Sequence, residues 1–369
     1  MVFDVYAERV GRLLSMMDRE GLDGFFVLVV EGLNWESAYY LSGYRGSSAA
    51  FLVSRHGGVL ITDGRYLAQA RSQSPFEVED QGGRSLNEAL LDRIRRMGLR
   101  RVGFEADRIF HSTFLELHSH LGGSLVDCSR FMPELRRTKD RREADLIAEA
   151  ARICADAFLE TLSLASPGMT EREFASMLEQ KIVSSGAEGG WGSHSFIVAS
   201  GPRSALPHGV PTDRVLCQGE WFTVDFGARY QGYVCDVTRN VAVGSLDPWA
   251  RDVYHVLVAA QDQAVRAMME GERQASQVDQ AARRVIQEAG MGDLFSHGLG
   301  HGLGLEVHEA PRVSSRSQDV LAPGDVITVE PGIYLEGKGG LRVEDDYLIS
   351  SQGVECLSSP LPREMFVIR

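Results

Sequence analysis

The chain has 369 residues, of which 44% are hydrophobic and 24% charged, a globular composition that excludes a disordered or fibrous protein. Its length exceeds what one hydrophobic core usually fills, so two domains are expected. With 38 Lys+Arg against 51 Asp+Glu the net charge is -13; that excess opposes a phosphate backbone, no basic tract offsets it, and nucleic acid is not an expected partner.

The opening segment MVFDVYAERVGRLLSMMDRE reads as an amphipathic helix. It lacks the basic start and unbroken apolar stretch of an export signal. The longest strongly apolar run, 25–30, is too short to cross a bilayer and reads as a buried strand. Further strands are predicted at 49–53 and 59–62 and a helix over 86–97, which makes 1–135 an α/β domain. The charged stretch PELRRTKDRREAD suits a boundary. Within it Asp140 and Glu143 have capping-box spacing and open a helix with apolar positions Ile147, Ala151, Cys154, Phe158 and Leu162. Thr170 and Glu173 repeat the device before a helix closed by Gly186. Asp247-Pro248 starts a third long helix that ends near Gly271, and a fourth covers about 276–290. Between and after these lie strands, so 136–369 is predicted to be α+β, with helices on a mostly antiparallel sheet. The segments 221–228 and 233–242 flank RYQG and read as one hairpin turned at Gly232. That arrangement has Asp225 and Asp236 facing each other near its centre. Cys128, Cys154, Cys217, Cys235 and Cys356 form no CxxC pair and are odd in number; they are expected to be reduced packing residues of a soluble, cytoplasmic protein.

The chemistry concentrates in the C-terminal third, in the runs VDFG, VCDVTRN, SHGLGHGLGLEVHE, VEPGIY and RVEDD. A carboxylate inside a strand, such as Asp225 or Asp236, is expensive to bury without a cation or several donors. The glycines between His297, His301 and His308 preclude a helix, so the spacing excludes a helical HExxH zinc motif and lets the backbone approach a ligand closely. Glu330 precedes Pro331-Gly332, which fixes an extended residue before a turn. In RVEDD the spacing does not choose among Glu344, Asp345 and Asp346. Four carboxylates and one imidazole carry a formal charge of minus four, which balances two divalent ions. The oxygen-rich set favours Mn²⁺ or Co²⁺, with Zn²⁺ also compatible. Two adjacent ions point to hydrolysis of a carbonyl or phosphoryl centre.

In order and spacing these segments resemble metallopeptidase family M24, specifically its Xaa-Pro dipeptidase (prolidase) and Xaa-Pro aminopeptidase branch, with a pita-bread catalytic domain. The stretches YYLSGYRGSSAAFLV and LITDGRYLAQAR are similar to the creatinase-type N-terminal domain of the same branch. The resemblance implies Asp225, Asp236, His301, Glu330 and Glu344 as metal ligands, with Asp236 and Glu344 bridging two ions. It puts His208, in LPHG, at a substrate-side histidine and His308, in LEVHE, at a transition-state histidine. His297 and Arg342 match as well, Thr238 is a candidate for orienting a ligand, and Arg312 falls where prolidase-like members place a cation near the substrate carboxylate.

The activity so implied is attack on the carbonyl before proline by a metal-bridging hydroxide, with Glu330 as ligand and proton shuttle and His208 and His308 as hydrogen-bond donors. Proline lacks an N–H and fixes φ, so this bond requires a specialised pocket. The expected substrates are proline-containing dipeptides or short peptides, and the family implies a homodimer. Two other readings compete: a non-catalytic peptide-binding module, disfavoured by the intact ligand set, and another small-amide or osmolyte hydrolase or lyase on the same fold.

Overall fold

The computed structural model describes residues 4–191 and 195–369; the first three residues of the predicted N-terminal domain lie outside that range. It divides into two compact units, Met1–Arg136 and Arg137–Arg369.

The N-terminal unit runs α1 (Asp4–Glu20), β1 (Gly24–Val30), α2 (Trp35–Ser42), β2 (Ser48–Ser54), β3 (Gly57–Thr62), α3 (Leu67–Gln73), β4 (Glu77–Asp80), α4 (Leu86–Arg96), β5 (Val102–Phe104), α5 (His111–Leu121), β6 (Leu125–Asp127) and α6 (Phe131–Arg137). Its six strands form one mixed sheet, β4-β3-β2-β1-β5-β6. The unbroken apolar run GFFVLVV sits centrally as β1 because helices cover both faces. On one face Phe26, Leu28, Leu52 and Ile61 meet Leu90 and Ile94 of α4. On the other, Phe25 stacks on Phe131 of α6 with centroids 5.7 Å apart.

The second unit opens with α7 (Arg141–Leu164) and α8 (Glu171–Ser184). Both begin in the capping boxes read from sequence: Glu143 N–H donates to Asp140 Oδ1 while Asp140 N–H donates to Glu143 Oε2, each at 2.9 Å, and Thr170 and Glu173 repeat the exchange. Then come β7 (Ile197–Ser200), β8 (Trp221–Phe226), β9 (Arg229–Tyr230), β10 (Tyr233–Val234) and β11 (Val237–Val243), followed by α9 (Pro248–Met269) and α10 (Ala275–Glu288). The chain ends with β12 (Gly300–Gly302), β13 (Glu309–Val313), β14 (Val326–Val329), β15 (Gly332–Leu335), β16 (Gly339–Arg342), β17 (Asp345–Ser350), β18 (Gly353–Cys356) and β19 (Phe366–Ile368).

These strands make a four-stranded sheet, β19-β11-β8-β7, a five-stranded sheet, β13-β12-β14-β17-β18, and two ribbons. Only β11–β19 is parallel among their pairings. Phe158 of α7 stacks on Phe226 at 5.0 Å and Phe174 of α8 meets Phe222 edge-on at 5.1 Å, so one helix pair covers the first sheet. The apolar stripes of α9 and α10, including Leu257, Ala264, Val278 and Ile286, cover the second with Ile327, Val329 and Ile349. The sheets join at an isolated bridge between Thr238 and Glu344, and the polar residues gather at that seam.

Candidate metal centre

Every sequence-predicted ligand reaches the seam from a different local device. Asp225 lies in β8, opposite Thr238 of β11. Asp236 immediately precedes β11, and Glu344 immediately precedes β17. Glu330 follows β14 and is fixed by its N–H donating to Leu299 O at 2.8 Å. His301 is the middle residue of β12, with its N–H on Thr328 Oγ1 at 3.1 Å.

One ligand atom each from Asp236, His301 and Glu344 lies within 4.8 Å of the others. His301 Nε2 is 3.5 Å from Glu330 Oε1 and 3.8 Å from Asp236 Oδ2. Asp225 joins through Arg342, whose Nη2 donates to Asp225 Oδ2 at 2.5 Å while its Nε lies 3.9 Å from Glu344 Oε2. Asp225, Asp236 and Glu344 are 8%, 5% and 2% exposed. Despite that burial, Asp225 Oδ1 and Asp236 Oδ1 have no hydrogen-bond partner in the protein, a costly arrangement unless a cation meets them.

The electrostatics agree. Burial first, and then the Glu344, Asp225, Asp346 and Glu330 charges, push Asp236 well above the usual carboxylate range. Glu344 is raised likewise, by burial and by Glu330 and Asp225. Burial raises Glu330 to about 8, against the pull of Arg342. His301 is pushed down to about 3, by burial and then by the neighbouring His308, so its imidazole is neutral. Its Nδ1 is 3.0 Å from Gly302 O, which assigns the proton to Nδ1 and leaves the Nε2 lone pair facing the carboxylates. Oxygen donors and one neutral imidazole around orphaned carboxylate atoms fit hard or borderline divalent cations. Arg342 adds one positive charge that a count of four carboxylates leaves out. Burial works to lower its pKa, but Tyr334, Asp225, Glu344 and Glu330 outweigh that and raise it.

The geometry also separates the three acids of RVEDD. Asp345 turns away to Arg239 Nη2 at 2.6 Å and accepts from Ser358 Oγ at 2.7 Å. Asp346 Oδ2 accepts the Asp236 N–H at 3.0 Å. Glu344 faces the cluster, with Oε2 accepting from Thr238 Oγ1 at 2.6 Å.

A family model of metallopeptidase family M24 matches residues 145–351, and one of the creatinase/prolidase N-terminal domain matches residues 9–138. The chain belongs to metallopeptidase family M24. Among solved structures this M24 peptidase is similar to an X-Pro aminopeptidase from Thermotoga maritima MSB8, at 38% identity and TM-score 0.91 over 98% of this chain and 100% of that one. An Xaa-Pro dipeptidase from Bacillus anthracis superposes with TM-score 0.91 at 35% identity, again over 98% and 100%. A sequence relative is an Xaa-Pro dipeptidase from Pyrococcus horikoshii, 33% identical over 96% of this chain and 98% of that protein. The fold is therefore the pita-bread catalytic fold of these enzymes, preceded by their N-terminal domain.

Two expectations need correction. The hairpin of the M24 domain is interrupted. Asp225 pairs with Thr238, not Asp236, and β9–β10 is a separate ribbon turned at Gln231-Gly232. The break is built at Gly227, where a Cβ would lie 1.9 Å from Trp191 Nε1 and 2.1 Å from Cys235 O. Trp191 Nε1 donates to Cys235 O at 3.1 Å, which kinks the chain just ahead of Asp236. The cysteines are not all packing residues either. Cys217 is exposed and Cys356 half-buried, whereas Cys154 and Cys235 touch at 3.4 Å in the interior.

Of the remaining sequence-predicted residues, Arg342, Thr238, His297 and His308 contact the cluster, while His208 and Arg312 are placed near it by their chain neighbours. Arg342 Nε donates to Thr238 Oγ1 at 3.0 Å, its Nη1 to Pro207 O at 3.2 Å and to Tyr334 Oη at 2.7 Å. Exposed His208 follows that anchored Pro207. Exposed His308 has its ring centroid 4.3 Å from that of His301, and Arg312 lies opposite His301 in the β12–β13 pair. His297 Nδ1 bonds Gly298 O at 2.7 Å and its Nε2 meets Tyr334 Oη at 3.1 Å. Arg342, Tyr334 and His297 thus form one directed chain, and burial lowers His297 to about 4. Tyr334 was not singled out from sequence; its place in EPGIY, four residues after a candidate ligand on an alternating strand, was the available signal.

Among the described residues no helix is long and apolar enough to cross a membrane.

Proposed function

We propose that this M24 peptidase hydrolyses the bond between an N-terminal residue and proline in dipeptides or short peptides. Asp225, Asp236, His301, Glu330 and Glu344 would hold two divalent cations, Mn²⁺ being favoured by the donor set. The observation that carries the reading is the convergence of Asp236, His301 and Glu344, with Glu330 3.5 Å from His301, beside buried Asp225 and Asp236 oxygens that have no hydrogen-bond partner in the protein. The names of the similar enzymes support the prolyl substrate. Bound divalent cations there supply Lewis acidity, polarising the scissile carbonyl and lowering the pKa of water.

The chain's own groups divide the remaining work. Glu330, a carboxylate at the edge of the cluster 3.5 Å from His301 Nε2, is suited to relay a proton to the departing proline nitrogen. Exposed His208 and His308, the latter packed on His301, would donate hydrogen bonds to the substrate and to the oxygen on which negative charge develops. Arg312 offers a cation to a dipeptide's carboxylate. The His297–Tyr334–Arg342 chain fixes Asp225 and Thr238, so the cluster is rigid before substrate arrives.

Turnover of Xaa-Pro and Xaa-Pro-Xaa substrates by chelated and Mn²⁺-reloaded protein, with metal content measured on the same samples, tests this. Loss on chelation, recovery at two ions per chain and prolyl selectivity are expected. Full activity in metal-free protein, or no prolyl substrate turned over at all, would refute it.

A further inference from the structure

His308 is the exposed end of the 303–308 loop between β12 and β13, whose first residues Leu303 and Leu305 are buried, and the direction in which it projects depends on what holds the loop's last turn. Lys139, just ahead of α7, and Glu309, the residue after His308, form an ion pair at 2.9 Å with side chains 1% and 6% exposed. Lys139 Nζ also donates to Arg137 O at 3.0 Å, and the Lys139 N–H donates to Gly324 O at 2.7 Å, so the cation is anchored to the body of the catalytic unit. The Glu309 carboxylate folds back over its own loop. Its Oε1 accepts the N–H groups of Leu305 and Glu306 at 3.0 and 3.1 Å while Oε2 takes Lys139.

The loop is shaped to admit this pair. At Gly304 a Cβ would lie 2.7 Å from Glu309 Oε2 and 2.8 Å from Lys139 Cε, so any side chain there would push directly on the ion pair. Gly304 O in turn accepts the Val234 N–H at 2.8 Å, and Leu305 O accepts from Arg229 Nη1 at 2.9 Å. The pair touches no candidate ligand in these hydrogen bonds. Its neighbour in sequence is the one loop residue whose ring packs on His301.

We propose that Lys139 and Glu309 are positioning residues for the peptidase reaction, a buried clamp that sets where His308 points. The inference rests on the role given to His308 above. A bidentate carboxylate tied to two loop N–H groups and one buried ammonium fixes the loop at three points. A histidine donor displaced by about 1 Å loses most of its effect on the transition state.

The test compares wild type, Lys139→Met/Glu309→Gln, which removes both charges while keeping shape, His308→Ala, and the triple variant. Each is loaded with Mn²⁺ and assayed on an Xaa-Pro dipeptide, with metal content and melting temperature recorded. The double variant is expected to keep wild-type metal content and KM within about twofold while kcat falls on the order of tenfold. The triple variant is expected to be no slower than His308→Ala, because the clamp acts through that histidine. A merely structural pair would instead give losses that multiply, and that result would overturn the inference, as would an unchanged kcat in the double variant. Glu309→Asp keeps the charges and withdraws the carboxylate by one methylene. It is expected to lower kcat with metal retained, and it carries the test if the double variant does not fold. If His308→Ala alone is as fast as wild type, the role of His308 itself is wrong and the clamp has nothing to position.

Discussion

Arg239 and Asp345 form an ion pair at 2.6 Å, with side chains 0% and 1% exposed, beside the seam at which Thr238 bridges Glu344. The guanidinium spends its other donors on Thr238 O, Glu344 O, Leu361 O and Pro362 O, so every N–H of a fully buried arginine is satisfied. It thereby fastens β11 to the Glu344–Asp345 step and to the segment before β19. Breaking one partner leaves an uncompensated buried charge. Arg239→Met is therefore expected to destabilise the protein by about 3–5 kcal/mol, seen as a lower melting temperature in both chelated and Mn²⁺-loaded protein. A change within about 0.5 kcal/mol would contradict this role.

Glu344 should behave in the opposite way. Its carboxyl is raised well above the ordinary range by burial and by Glu330 and Asp225, so ionising it in chelated protein at neutral pH works against folding. Glu344→Gln keeps an oxygen for the 2.6 Å bond from Thr238 and removes that charge. The chelated variant is expected to melt at or above the wild-type temperature, while the rise on adding Mn²⁺, which grows as RT ln(1 + [L]/Kd), largely disappears. Equal Mn²⁺ shifts in variant and wild type would exclude Glu344 as a ligand.

Much of this was legible in the sequence, for identifiable reasons. Capping boxes at Asp140 and Thr170 are local hydrogen-bond exchanges, and their helices follow. The runs that carry the clustered acids were visible because carboxylates amid Val, Phe and Gly are costly to bury. What spacing could not reveal depends on contacts far apart in the chain. Asp345 and Glu344 are neighbours in sequence, and Arg239, some hundred residues earlier, draws Asp345 away while Glu344 stays toward Thr238 and the carboxylate cluster. The hairpin register failed for a similar reason: an alternating pattern does not disclose that Trp191 caps Cys235 O and breaks the ladder. For Tyr334 the sequence offered only its place in EPGIY, and its role was not readable from that because its partners, His297 and Arg342, meet it only in the fold.

Tyr334→Phe deletes the hydroxyl that accepts from Arg342 at 2.7 Å and meets His297 Nε2 at 3.1 Å. Both groups keep their other partners, so the fold should survive with a loss of about 1–2 kcal/mol. Activity on an Xaa-Pro dipeptide is expected to fall roughly tenfold through kcat, since the change reaches the reaction through the group holding Asp225. Wild-type kcat with Phe at this position would show that the chain does not matter to turnover.

A pH effect separable from the metals is expected at Glu105 in the N-terminal unit. It is 4% exposed and accepts from Asn34 Nδ2 at 2.8 Å and Ser37 Oγ at 3.0 Å. Burial outweighs these bonds and raises its pKa. For an acid raised in the folded state, the native protein holds the proton more tightly than the unfolded chain, so stability falls as pH rises from the unfolded value of 4.5 through the folded one. Asn34 Oδ1 has no partner. In Glu105→Gln a flipped Asn34 amide can therefore accept from the new Nε2–H. The variant should show a flatter stability profile above pH 4.5, by at most one proton or about 1.4 kcal/mol per pH unit, with neutral-pH stability equal or higher. Denaturation midpoints from pH 5 to 8 check this, and a steeper decline in the variant would reverse the sign.

Gly227 tests whether the broken hairpin is what places Asp236. A Cβ there would sit 1.9 Å from Trp191 Nε1 and 2.1 Å from Cys235 O, distances no packed structure tolerates. The indole sits in the interior at 6% exposure and cannot swing away freely, so the Cys235 carbonyl must yield. Asp236 is the next residue, and its own N–H is held by Asp346 Oδ2 at 3.0 Å, which makes the displacement pass into that bond. Gly227→Ala is expected to cost about 1–3 kcal/mol of stability through overpacking and, beyond that, to weaken Mn²⁺ binding at least tenfold, since misplaced ligand-supporting groups cost about that much. Titrating Mn²⁺ into chelated wild type and variant, with folding checked by circular dichroism, separates the two effects. A folded variant with wild-type Mn²⁺ affinity would show that Asp236 is held by the seam alone and that the kink at Gly227 serves packing only.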